Sequence, residues 1–173
     1  MFGVNYCTTC DEGMYTATDG ASCTPCPNGT SYSYHNMSQP QPTSCTPCVA
    51  GKYSVQSVDQ LVDVCTRCNA GSYTDTLAGS GAATCTPCPQ GEYSAQSTSA
   101  CEVCYPGSVT GSYHTGATVC IVCSAGTYST VSNVLHCSAC PAGYITNTGT
   151  NNYATECTPC AAGTYSTVST DVS

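Results

Sequence analysis

The stretch CTPCPQGEYSAQSTSACEVC, residues 85–104, holds two C-x-x-C pairs with Gly91-x-Tyr93 between them. Such pairs serve three chemistries: zinc ligation, thiol redox catalysis and structural disulfides. The rest of the chain decides among them.

The same arrangement recurs along all 173 residues. Eighteen cysteines form nine pairs, beginning at Cys7, Cys23, Cys45, Cys65, Cys85, Cys101, Cys120, Cys137 and Cys157. Three residues after each second cysteine stands a glycine, from Gly13 through Gly163, without exception. Two residues further on, six units carry Tyr (Tyr15, Tyr53, Tyr73, Tyr93, Tyr128 and Tyr165); Ser31, Val109 and Ile145 replace it in the others. The unit is C-x-x-C-x-x-G-x-Y followed by a polar loop of variable length. A fixed period of this kind is the signature of a tandem array. It divides the chain into nine units: 7–22, 23–44, 45–64, 65–84, 85–100, 101–119, 120–136, 137–156 and 157–173, the last one open. Glycine at one offset marks a turn that needs positive φ or a close backbone approach. Proline in the Cys-Thr-Pro-Cys pairs stiffens the chain there and lowers the entropy lost on folding.

Composition sets the fold class. A cysteine density near one in ten belongs to an oxidised scaffold. One Phe, no Trp and three Leu cannot build an ordinary hydrophobic core, so packing is expected to be local and centred on the 13 tyrosines. Good helix formers are scarce. The sequence therefore predicts a small disulfide-rich repeat array: an elongated rod or solenoid of short irregular β-strands and turns, with little or no helix. Stability in such an array is expected to be a matter of nearest neighbours.

Charge narrows the function. Lys52 and Arg67 are the only strong cations, against ten acidic residues, for a net charge of −8. Phosphate-backbone binding needs clustered Lys and Arg, so no nucleic acid is expected as a partner. No stretch of about 18 apolar residues suggests a membrane span. MFGVNYC at the start has neither the basic region nor the apolar run of a signal peptide, which reads as a mature product or a fragment.

Zinc would take two pairs per site, and nine pairs leave one over. His35, His114 and His136 do not stand where they would replace a missing thiolate. Thiol redox enzymes place one pair at a helix N-terminus beside a charge that lowers its pKa, and nothing here has that pattern. No catalytic motif of the usual kinds is present, and no cofactor or metal is expected. Disulfides remain, in an extracellular or cell-surface setting. Asn28 and Asn36 head Asn-x-Ser/Thr sequons and are the candidates for N-glycosylation.

Tandem C-x-x-C-x-x-G-x-Y-S resembles the cysteine-rich repeats of ephrin-receptor-like modules, which are related to growth-factor-receptor and tumour necrosis factor receptor modules. Similar arrays occur in protist surface antigens and in mastigoneme-type fibre proteins. The resemblance implies bridges from the second cysteine of one pair to the first of the next. These are Cys10–Cys23, Cys26–Cys45, Cys48–Cys65, Cys68–Cys85, Cys88–Cys101, Cys104–Cys120, Cys123–Cys137 and Cys140–Cys157. Cys7 and Cys160 are then left over. Joined head-to-tail to another copy they would be 20 positions apart, against 13 to 19 within the implied bridges. Continuation or self-association through these two cysteines is expected on that ground. The function so indicated is a structural, non-enzymatic segment of a glycosylated extracellular fibre or cell coat. The rival is a ligand-binding ectodomain stalk of a receptor or surface antigen, with 32–37 and 57–65 as its candidate loops.

Overall fold

A computed structural model describes residues 10, 14–17, 20–31, 44–55, 65–111 and 115–167. Among them there is no helix, and sixteen strands of two or three residues form eight two-stranded sheets. The array is a disulfide-rich succession of strands and turns. By compactness it divides into two units, Met1–Cys68 with Thr74–Thr86, and Asn69–Tyr73 with Pro87–Ser173.

The repeating module can be numbered by its bridge. Module 1 is closed by Cys10–Cys23, module 2 by Cys26–Cys45, module 3 by Cys48–Cys65 and module 4 by Cys68–Cys85. Cys88–Cys101, Cys104–Cys120, Cys123–Cys137 and Cys140–Cys157 close modules 5 to 8. Module 9 begins at Cys160, which is free and half-buried. The Cα atoms of each bridge lie 5.5–5.7 Å apart, the usual span.

Each module opens with a tight turn. In module 5, the amide of Glu92 donates to the Pro89 carbonyl at 3.2 Å, with Gly91 at φ +82 in the third position. This is the geometry that admits glycine and penalises every L side chain. The turn then sends out a short strand that pairs antiparallel with the strand entering the next cysteine pair. Tyr93 lies opposite Glu102, and Ile145 opposite Thr158. Closure comes when the second cysteine's amide returns to the glycine carbonyl, as from Cys123 to Gly107 at 2.9 Å and from Cys140 to Gly126 at 3.1 Å.

The buried interior is narrow and sulfurous. The first cysteine of every closed module, from Cys10 to Cys140, is buried, whereas its bridging partner is half-buried or exposed. Around the sulfurs lie Ala82, Ala154 and Val109, and a set of hydroxyl side chains: Ser54, Thr74, Ser94, Ser108, Thr110, Ser129 and Thr146. No tyrosine is buried among the described residues, which corrects the expectation of Tyr-centred packing. Tyr15, Tyr53, Tyr73, Tyr93 and Tyr128 are half-buried, and Tyr105, Tyr144, Tyr153 and Tyr165 are exposed. Most of these Ser and Thr hydroxyls donate to a main-chain carbonyl; that of Thr110 has no partner among the described residues. Thr146 donates to the Gly149 carbonyl at 2.7 Å, and Thr74 to the Leu77 carbonyl at 3.0 Å.

Contacts between modules show a period twice that of the sequence. In the first unit, the Gly29 amide of module 2 donates to the Ser54 carbonyl of module 3 at 2.9 Å. The Ser54 amide in turn donates to Ala82 at 3.1 Å, and the Gly81 amide donates to the Cys48 carbonyl at 2.7 Å. In the second unit the same set runs Gly71 to Ser94, Ser94 to Ala117 and Gly116 to Cys88. It recurs as Gly107 to Ser129, Ser129 to Ala154 and Tyr153 to Cys123. Odd modules 3, 5 and 7 thus supply a serine three residues after the glycine, bonded on both sides. Even modules 4, 6 and 8 supply an alanine three residues before the first cysteine, preceded by a residue at positive φ (Gly81, Gly116 or Tyr153).

These contacts leave no room beside the turn glycines of modules 2, 4 and 6. A Cβ on Gly107 would stand 2.6 Å from the Tyr153 carbonyl oxygen, whereas one on Gly149 would meet nothing within 4 Å. Both residues have positive φ, +83 and +65. Gly149→Ala is expected to lose about 1 kcal/mol from backbone strain alone. Gly107→Ala should lose at least twice that, because the ladder between modules 6 and 8 must also open. Urea unfolding with the bridges intact, followed by near-ultraviolet circular dichroism, measures both; equal losses would contradict the close packing.

Candidate functional surface

The chain's site chemistry is distributed along its hairpins. Asn28 occupies the second position of the Pro27–Thr30 turn and is exposed. The Thr30 hydroxyl of the same sequon donates to the Pro27 carbonyl at 2.7 Å, so the sequon is held in the rigid turn that Gly29 creates. Asn36 and Cys7 lie outside the described residues, as do loop 32–37 and most of loop 57–65. Among the described residues no group of three His, Cys, Asp or Glu is arranged to hold a metal ion. No helix among them is long and apolar enough to cross a membrane.

The register brings the two strong cations together. Lys52 and Arg67 are directly opposite on the module 3 hairpin, and both are exposed. Like charges opposite one another are unfavourable by a few tenths to about 1 kcal/mol. They bring the chain's two strong cations to one place on the module 3 hairpin. Composition alone gave no hint of this, but the spacing did: Lys52 follows its turn glycine directly and Arg67 directly precedes the second cysteine of its pair. Any two residues at those places face each other.

Module 5 shows the same register with a different pair. The Tyr93 hydroxyl donates to the Glu102 carboxylate at 3.2 Å. That hydrogen bond, and then the carboxylate's charge, raise the phenol's pKa above its ordinary value, with slight desolvation and Tyr105 adding in the same direction. Tyr93, Ser94, Gln96, Ser99 and Glu102 border a shallow polar depression. The Ser94 hydroxyl donates into its floor, to the Gln96 carbonyl at 2.8 Å.

Modules 4 and 8 carry a device that sequence reasoning missed. Asp75 accepts from the amides of Ala83 and Thr84 at 3.0 and 3.3 Å. Asn147, at the same place in module 8, accepts from the Thr155 amide at 3.1 Å and donates to the Thr155 hydroxyl at 2.9 Å. Each pins the strand carrying its module's Ala82 or Ala154, and so fixes the ladder contact. The signal was the Thr-Asp-Thr at 74–76 and the Thr-Asn-Thr at 146–148, an Asx side chain four residues after the turn glycine.

A family model described as "Tyrosine-protein kinase ephrin type A/B receptor-like" matches residues 111–152, from the module 6 loop into module 8. No curated protein matches the chain. Together with the run of eight tandem bridges, within which that match lies, this supports ephrin-receptor-like cysteine-rich repeats. This is a non-catalytic type of ectodomain module, and it fits an extracellular or surface protein.

Two outcomes follow from the hairpin register. Lys52→Glu should stabilise the chain by about 0.5 kcal/mol, because it turns a like-charge pair into an opposite one; denaturant unfolding at low salt reads the change, and a loss of stability would count against the register. Tyr93 should titrate at a higher pH in the native chain than in Glu102→Gln, by carbon-13 tyrosine resonance. A phenol pKa raised by folding favours the native state below the unfolded value, and that contribution is lost as pH rises through the folded pKa. The stability of the native chain should therefore fall with rising pH across this window, and that fall should be smaller in Glu102→Gln.

Proposed function

We propose that the chain is a structural, non-enzymatic repeat segment of a glycosylated extracellular fibre or cell coat. The observation that supports it is the main-chain ladder joining odd modules 3, 5 and 7 to the even modules on both sides of them. Such contacts use amides, carbonyls, glycine and alanine, and ask little of the loops between them. Modules can be added in pairs without designing a new core, as suits a protein whose role depends on its extent. Interspersed hydroxyl side chains give it a polar surface with few charges. Asn28, exposed on its turn, is the position for an N-linked glycan, and Asn36 is a second.

The receptor ectodomain is the second reading, favoured by the family match over residues 111–152. In that setting the array would hold a ligand-binding domain away from the membrane. The repeats themselves serve either purpose, because the fold supplies extent and the attached parts supply function.

Immunogold electron microscopy of the native material, with antibody raised against the folded chain, separates the two. Label recurring along a fibre or across a continuous coat is the expected outcome. Label confined to scattered points on the plasma membrane would favour the receptor, and label inside the cell would remove both. Treating the native material with peptide N-glycosidase should convert Asn28 to Asp in its peptide; an Asn28 peptide recovered bare without treatment would remove the glycan.

A further inference from the structure

The module 5 hairpin and its loop form a half-open hollow of about 220 Å³. Tyr93, Ala95, Gln96, Ser99, Ala100 and Glu102 line it around the buried Ser94, and no cation does. The loop is held in shape from within. The Ser94 hydroxyl is shared between the carbonyls of Gln96, at 2.8 Å, and Ser99, at 3.2 Å. The Ser99 amide also donates to the Gln96 carbonyl at 3.2 Å. Because the main chain of Ser94 is bonded on both sides in the ladder, the base of the hollow is fixed before any ligand arrives. The side chains above it keep unused hydrogen-bonding capacity. Glu102 accepts the Tyr93 hydroxyl on Oε2 at 3.2 Å, and its Oε1 has no partner among the described residues. Gln96 donates one Nε2 hydrogen to the Ser99 hydroxyl at 3.2 Å and keeps the other, along with its Oε1. Modules 1, 3 and 7 place Thr24, Thr66 and Ser138 opposite their tyrosine, where module 5 places a carboxylate.

We propose that this hollow binds one ring of a neutral saccharide chain. The lining selects that class of ligand. Neighbouring sugar hydroxyls donate to the free oxygen of Glu102 and accept from the free Nε2 hydrogen of Gln96. A hydroxyl bonded to a carboxylate is held about twice as strongly as one bonded to a neutral group. The Tyr93 ring and the methyl groups of Ala95 and Ala100 offer apolar surface to the C–H face of a pyranose. The hollow is smaller than the roughly 300–1,000 Å³ of sites for larger small molecules, so it admits one ring and leaves the rest of a chain in solvent. Sulfated and uronic sugars are repelled by Glu102 and by the net charge of −8, with no cation in the lining to pair them. A calcium ion needs about six to eight oxygen ligands, whereas the hollow supplies a single carboxylate. Among the described residues no group of three His, Cys, Asp or Glu is arranged to hold a metal ion.

This goes beyond the function proposed above and holds for a coat and a receptor alike. Amide NMR spectra of the isotope-labelled full chain, titrated with cellotetraose, maltotetraose, mannotetraose and chitotetraose, test it. At least one of these should shift the amides of residues 92–102, with a dissociation constant of about 1–10 mM, as contacts to a single ring allow. Glu102→Thr puts at this place the residue type that module 3 has in Thr66, and it should weaken binding about tenfold. Glu156→Gln, which removes an exposed carboxylate in module 8, should leave binding unchanged. Unfolding midpoints of both variants, measured alongside, check that each is folded. No shift from any of the four up to about 50 mM overturns the proposal, as do shifts spread over every module. Binding unmoved by Glu102→Thr overturns it too. The same amides shifted by calcium chloride alone would replace it with a cation site, and tighter binding of a heparin tetrasaccharide would replace it with an anion site. Immunogold labelling of the native material is unaffected by any of these results, so the two readings fail separately.

Discussion

One residue in each of the odd modules 3, 5 and 7 holds its surroundings together through its main chain. The serine three residues after the turn glycine accepts from the preceding even module through its carbonyl and donates to the following one through its amide. Ser54, Ser94 and Ser129 all do this while buried. A buried peptide group must be satisfied on both sides, so neither neighbour can withdraw without leaving a polar atom unpaired. The interior offers little to compensate for such a loss, since it consists of sulfur, small apolar groups and hydroxyls. Order in this chain therefore rests on main-chain hydrogen bonds that the bridges hold in place, with less help from apolar burial than in an ordinary domain.

The bridges and the glycines act on the same few residues for different reasons. A disulfide restricts the unfolded chain and fixes two Cα atoms at one distance, but it does not orient the loop it closes. Orientation comes from the left-handed glycine, which turns the strand so that its carbonyl faces the second cysteine's amide. In module 6 both groups of Gly107 are used, its amide on Ser129 and its carbonyl on Cys123. A side chain there would strain φ and collide with Tyr153, so glycine is required twice over. The loop beyond the strand is under no such demand, and the bridges enclose anything from 13 to 19 positions.

The fold was legible where a local rule governs it. Glycine at a constant offset implied a positive-φ turn, and scarcity of Leu, Trp and Phe implied no ordinary core; both follow from single-residue physics. The disulfide scheme, by contrast, came from family resemblance, because spacing alone leaves the pairing of eighteen cysteines open. Tyrosine misled for want of a dimension: thirteen rings suggested packing, but sequence does not say how wide the interior is. The doubled period was written in the chain, as Ala82, Ala117 and Ala154 each three residues before a cysteine, and as Ser against Thr after alternate glycines. It could not be understood there, since an alanine matters only for the carbonyl it presents to a module some twenty-five residues earlier. The opposed Lys52 and Arg67, and the strand held by Asp75, were hidden for the same reason: register sets them, and composition does not.

A doubled period changes how stability should propagate. In a simple repeat array each module touches its immediate neighbours, and the energy is a sum of modules and junctions. Here even modules also meet one another across the odd module between them, as Gly71 meets Gly116 and Gly107 meets Tyr153. An odd module such as module 5 is then held from both sides, with the Ser94 carbonyl on Gly71 and the Ser94 amide on Ala117. Releasing it breaks two junctions and leaves the contact between its even neighbours unsupported. The smallest element able to open alone is therefore an odd module together with one even partner. Modules 8 and 9 are joined in the same manner through Gly143 and Ser166. Local opening should be costly in modules 5 and 7, where Ser94 and Ser129 are each bonded on both sides.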